Sequence, residues 1–128
     1  MPYTIGFLEA ENMVAIENTG NLTYKECFKQ CQDAMELGQL HHTNLFFADC
    51  TNLVVQPNIV EVFDFFPATY EKLGVPKTIK LACLISGDAV TAKELAFYET
   101  ICRNRGWQIR LFKDRSTAMQ WIHGQQEP

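Results

Sequence analysis

The chain has 128 residues, of which 47% are hydrophobic and 20% charged, and fifteen acids against eleven bases leave it at −4. This balance fits one globular domain and excludes a disordered chain. The acid excess argues against a nucleic-acid-binding module, which needs a basic face, and no apolar run is long enough to cross a bilayer.

Tyr3, Ile5 and Phe7 alternate with Thr4 and Gly6, the period of a strand with one buried face. Glu11 and Asn12 make a turn, and Met13 to Ile16 return as the second arm of a hairpin. Thr23 and Glu26 have capping-box spacing. Tyr24, Cys27, Phe28, Cys31, Ala34 and Met35 then follow at steps of three and four and form one apolar stripe of a first helix. Gly38 is expected to end it as a left-handed cap. Leu45 to Ala48 form a continuous apolar run, the pattern of a central parallel strand covered on both faces, and Asp49 is expected to close it.

Pro57 suits the first position of a second helix. Its inward stripe contains Ile59, Phe63, Phe66, Tyr70 and Leu73, Pro67 should kink it, and Gly74 ends it. Ile79 to Ile85 read as another buried strand, with Gly87-Asp88 as the turn that follows. Thr91 and Glu94 repeat the capping-box spacing, and Leu95, Tyr98, Ile101 and Cys102 form the inner face of a third helix capped by Gly106. Ile109, Leu111 and Phe112 make a last strand with Gln108 and Arg110 facing outwards, hence an edge. Ser116 reads as the start of a short final helix carrying Ala118, Trp121 and Ile122. The order β-β-α-β-α-β-α-β-α predicts an α/β fold. It should be one mixed, mostly parallel sheet of about five strands with about four helices, spanning residues 1–124 as one domain with a frayed tail at 125–128.

Most phosphate and redox chemistry is missing from the pattern. No two of the seven glycines lie closer than thirteen residues, so neither a dinucleotide fingerprint nor a P-loop can form, and no cofactor is expected. Cys27 and Cys31 share a helix face, but that face is the apolar stripe, so packing is the simpler role and no metal site is expected. The five cysteines read as reduced thiols of a cytoplasmic protein, and Met1-Pro2-Tyr3-Thr4 lacks the build of a signal peptide. Asp49, Ser86 and Asp88 should approach one edge of the sheet, where open α/β folds bind ligands, and Asp114 could join them. Two neighbouring carboxylates there could serve acid–base chemistry, although caps and turns explain them more simply.

The second helix holds the least comfortable residue. Phe65 lies roughly 110° from the centre of the inward stripe at about 100° per residue. An exposed phenylalanine beside a proline break suits a surface for a partner, a lipid or a ligand.

Gly20-Asn21-Leu22-Thr23-Tyr24, and Leu111-Phe112-Lys113-Asp114 followed by Ala118-Met119-Gln120-Trp121-Ile122, are similar to motifs of a known family. With the element order, they make the chain resemble the STAS (sulfate transporter and anti-sigma factor antagonist) superfamily, and more closely its SpoIIAA-like branch. The resemblance implies a partner-binding surface at the start of the helix after the third strand. Anti-sigma factor antagonists carry a phosphorylatable Asp-Ser pair there. Here Pro57-Asn58 fall at that place, and asparagine accepts no phosphate; Thr51 is nearby, in the preceding turn. The SpoIIAA-like branch resembles lipid-binding or membrane-associating modules, which suits Phe63, Phe65 and Phe66 beside Pro67. The expectation is a non-enzymatic regulatory or binding module for a protein partner, an apolar ligand or a membrane surface, not for nucleic acid. Its site would comprise Asp49, Thr51, Asn58, Phe63, Phe65, Phe66, Ser86 and Asp88. The alternative is a small enzyme with an Asp/Ser site at the carboxyl edge of the sheet. An edge strand could also support a homodimer by pairing.

Overall fold

A computed structural model of the chain describes residues 3–54, 68–85 and 89–124. Five strands form one sheet in the order of the chain: β1 (Tyr3–Leu8), β2 (Met13–Asn21), β3 (Leu45–Val54), β4 (Lys80–Ile85) and β5 (Gln108–Phe112). β1 and β2 are an antiparallel hairpin, closed by a turn in which Asn12 takes φ 51°. The pairs β2–β3, β3–β4 and β4–β5 are all parallel. The helices among the described residues are α1 (Tyr24–Leu40), α2 (residues 68–73), α3 (Ala89–Asn104) and α4 (Arg115–Ile122). The expected helix start at Pro57, the break at Pro67 and the tail at 125–128 lie outside the described residues.

Strand order equal to chain order decides the layering. Each parallel crossover is right-handed by rule, and here every crossover steps the same way across the sheet. Their three helices therefore fall on one face. The side chains agree: Val14, Ile16, Phe46, Cys83 and Ile109 pack with Ala34 of α1, Tyr70 of α2, and Leu95, Tyr98 and Ile101 of α3. The alternate residues Met13, Phe47, Ala82 and Phe112 point to the opposite face, where Ala118 and Ile122 of α4 cover them. Phe46 and Phe47 are both buried, as the continuous apolar run requires of a central strand.

The caps depart from expectation in three places. At the start of α1 the predicted capping box is present: Thr23 Oγ1 accepts from the Glu26 amide at 3.1 Å, and Glu26 Oε1 accepts from the Thr23 amide at 2.9 Å. Gly38, however, does not end that helix, which runs on to Leu40. A Cβ at Gly38 would sit 2.7 Å from Phe46 Cζ, so glycine is there to let α1 approach β3. Thr91 is not a cap either; it lies inside α3 and is buried with Glu94, and both belong to the helix's inner face. α4 is capped by Asp114 rather than begun at Ser116: Asp114 Oδ1 accepts from the Thr117 amide at 3.0 Å, and the Thr117 hydroxyl donates to Oδ2. These bonds to the charged form hold the Asp114 carboxyl below its usual pKa.

Two strands are longer than expected. β2 continues past Ile16 to Asn21, and β3 continues past Asp49 to Val54. Glu17 pairs with Asp49 but Thr19 pairs with Asn52, so β3 holds one extra residue, a bulge. Cys50 before it and Leu53 after it both return to the helical face.

Candidate functional site

Of the residues expected to form the site, Asn58, Phe63, Phe65, Phe66, Ser86 and Asp88 lie outside the described residues. Asp49 and Thr51 lie within them, at the β3 bulge. Asp49 does not close its strand. It faces away from α1–α3, with Glu17 beside it on β2 and Leu84 on β4. Its Oδ1 accepts the Thr51 amide at 3.0 Å and the Thr51 hydroxyl at 2.6 Å. Both bonds are local and satisfy the backbone where the bulge disturbs the ladder. Asp49 is thus a fastening of the bulge, and Asp114, engaged in its cap, does not join it. Of the carboxylates expected to share acid–base work, Asp49 and Asp114 are each bonded to their own local backbone, and Asp88 lies outside the described residues.

The sheet around Asp49 is open. α4 covers the β4–β5 side of this face and the amino-terminal end of β3. Thr4, Gly6 and Glu17 are exposed, and Ala15, Asp49 and Thr51 are half-buried. Glu17 and Thr4, neighbours in register, were not among the expected site residues. The signal lay in continuing the alternation Met13, Ala15, Glu17, Thr19 through a segment whose Asn18, Gly20 and Asn21 look like a turn.

The opposite face is packed against α1–α3 and carries most of the unusual chemistry. All five cysteines are free, with Cys50, Cys83 and Cys102 buried. Burial pushes the thiols of Cys31 and Cys102 up to about 12 and that of Cys27 up to about 11, so these three are neutral at physiological pH. Cys50 moves the other way, because Cys83 donates a hydrogen bond to it and Asn18 Nδ2 donates a second at 3.5 Å. Asn18 is buried, and its Oδ1 accepts from Gln30 Nε2 of α1. Among the described residues, no group of three or more His, Cys, Asp or Glu side chains is placed to hold a metal ion.

Two further features of the helical face were not expected. The hydroxyls of Tyr70 on α2 and Tyr98 on α3 are hydrogen-bonded to each other, and burial raises the pKa of both. One helical turn from Tyr98, towards the carboxyl end of the sheet, Glu94 is only 3% exposed, and its Oε2 has no hydrogen-bond partner among the described residues. A buried carboxylate oxygen without a donor costs about 1–3 kcal/mol or more. Such an atom calls for a donor that the described residues do not supply.

The fold itself has a known counterpart. The chain is similar over 94% of its length to an uncharacterised protein of the DUF3478 family from Shewanella loihica PV-4, with a TM-score of 0.60 and 20% identity, covering 93% of that chain. That protein is described as having a SpoIIAA-like fold. The fold of this chain is SpoIIAA-like. Neither a family model nor a curated protein matches the sequence. In this SpoIIAA-like chain no described helix is long and apolar enough to cross a membrane.

Proposed function

We propose that the chain is a non-enzymatic binding module that takes a lipid-like apolar ligand, or an apolar segment of a protein partner, through its second helix and the adjoining turn. The observation that carries this reading is the orphaned Glu94 oxygen. It sits on the inner face of α3, on the side of the sheet that also holds α2. An amphiphile with an apolar body and a donor head, an amine or an alcohol, would satisfy it. The enzymatic alternative has less support, because Asp49 Oδ1 accepts both Thr51 bonds and Asp114 is engaged in the α4 cap.

The test is calorimetric titration of the wild type, Glu94→Leu and Phe65→Ser with decylamine and with decanoate. Decylamine binding that is lost in Glu94→Leu and weakened in Phe65→Ser supports the reading. Equal affinity for decanoate and decylamine, or no binding of either by the wild type, overturns it. Glu94→Leu should meanwhile raise unfolding stability by about 1–3 kcal/mol, since it removes an unpartnered buried carboxylate. Gain of stability with loss of binding distinguishes a ligand site from a damaged core.

A further inference from the structure

The bases and acids of this chain are segregated along its length. Residues 1–54 hold seven acids and two bases, whereas residues 72–115 hold nine of the eleven bases and four acids. Because the strands lie in chain order, this segregation becomes spatial: the β1–β3 side of the sheet is acidic and the β4–β5 side basic.

On the face opposite α1–α3, the two halves also differ in relief. α4 stands on the basic side. Its first residue, Arg115, is exposed and places its guanidinium 4.8 Å from the Phe47 ring centroid, at the border with the open area. Arg110, on β5, is exposed beside Phe112 and Trp121. Across the border, Glu17 and Asp49 lie on the bare part of the sheet. Both bonds from Thr51 fall on Asp49 Oδ1, and Oδ2 takes neither.

A raised basic half beside a bare acidic half is self-complementary under a two-fold rotation. Turning a second copy about an axis that runs along the border, in the plane of contact, sets each raised half on the other's bare half, with the arginines of one copy towards the carboxylates of the other. Isologous contacts of this kind close on themselves and give dimers rather than fibres. We propose that the chain forms a two-fold symmetric dimer in which α4 of each copy rests on the uncovered β1–β3 part of the other's sheet, with Arg110 and Arg115 facing Glu17 and Asp49. This surface is separate from the ligand site proposed above, which lies on the helical face.

The experiment uses sedimentation velocity and native mass spectrometry on the wild type, Glu17→Lys and Arg115→Glu, and on the two variants mixed. The wild type should be dimeric at low salt. Its dissociation constant should rise roughly tenfold or more at high salt, because exposed charge pairs are screened. Each variant alone sets like charges together at both ends of the interface and should be monomeric at the same concentration. In the mixture, the lysine introduced by Glu17→Lys in one copy meets the glutamate introduced by Arg115→Glu in the other, while the native pair forms at the opposite end. A one-to-one heterodimer should therefore appear. Recovery on mixing also excludes misfolding as the cause of the single losses. A monomeric wild type at low salt, or variants that stay apart on mixing, overturns the proposal.

Discussion

The two faces of the sheet are made from the same strands by strict alternation, yet they meet opposite fates. The helical face receives three helices because three right-handed crossovers step in one direction. Among the described residues it is packed around large aromatics and thiols, and burial pushes the thiols of Cys31 and Cys102 up to about 12. The other face receives only α4, eight residues long, among the described helices and keeps a bare polar area at Thr4, Glu17, Asp49 and Thr51. Topology, before any particular side chain, decides where this protein can keep an exposed surface. A chain whose strands doubled back would have covered both faces.

Substitutions can break this contrast, and the largest effect belongs to the packed side. Trp107 is 2% exposed; its Nε1 donates to the Val75 carbonyl at 3.1 Å, and Tyr70 meets its ring edge-on at 5.2 Å. Lys77 Nζ lies 3.7 Å from the ring centroid on the surface side. Trp107→Ala should cost about 3–5 kcal/mol in urea unfolding, through lost burial and the cavity left behind. A cost below about 1 kcal/mol, the range of a surface change, would mean that the helical face is not the rigid core described. Gly38→Val comes next. Its side chain would drive into the Phe46 ring and the Thr43 carbonyl, so about 1–3 kcal/mol should be lost to overpacking. If the glycine were only a helix cap, the same substitution would leave the position of α1 unchanged. Amide exchange along β3 then separates the two, since only a displaced α1 loosens that strand.

Gly38 also shows why some of this fold was legible in the sequence and some was not. Periodicity marked the order of elements well: Ile109, Leu111 and Phe112 alternate with Gln108 and Arg110, and the observed β5 has that burial. Thr23 and Glu26 were readable because a capping box is a local device, complete within four residues. The same spacing at Thr91 and Glu94 misled, because it lies inside α3, where both side chains point inwards. Gly38 misled because close approach between α1 and β3 is a tertiary cause without a local signature. The end of β2 was hidden by Asn18, Gly20 and Asn21, which carry turn chemistry yet lie in a strand held by its parallel partner. The candidate site was legible only in part. Asp49 and Thr51 read as the close of the third strand and the loop beyond it, whereas both lie inside β3, because the extra residue of the bulge, which turns Asp49 into a fastening, is a matter of pairing between strands.

The bulge supplies the smallest test of the contrast. On the open face, the Thr51 hydroxyl has one visible task, its bond to Asp49 Oδ1. Thr51→Val keeps the size and the backbone amide and removes only that bond. The expected loss is about 0.5–1.5 kcal/mol, the net contribution of one hydrogen bond, partly offset because Thr51 is half-buried and solvent reaches its surroundings. Asp49→Ala removes the acceptor for both bonds and should cost more, because the Thr51 amide is then also unpaired. If the two substitutions cost the same, the amide bond at 3.0 Å contributes nothing and Asp49 is not holding the bulge. Its carboxylate would then be free for another role, and the polar face would have to be read as a site of chemistry instead of a surface for contact. A double-mutant comparison decides between these outcomes, since residues sharing one acceptor must show non-additive costs.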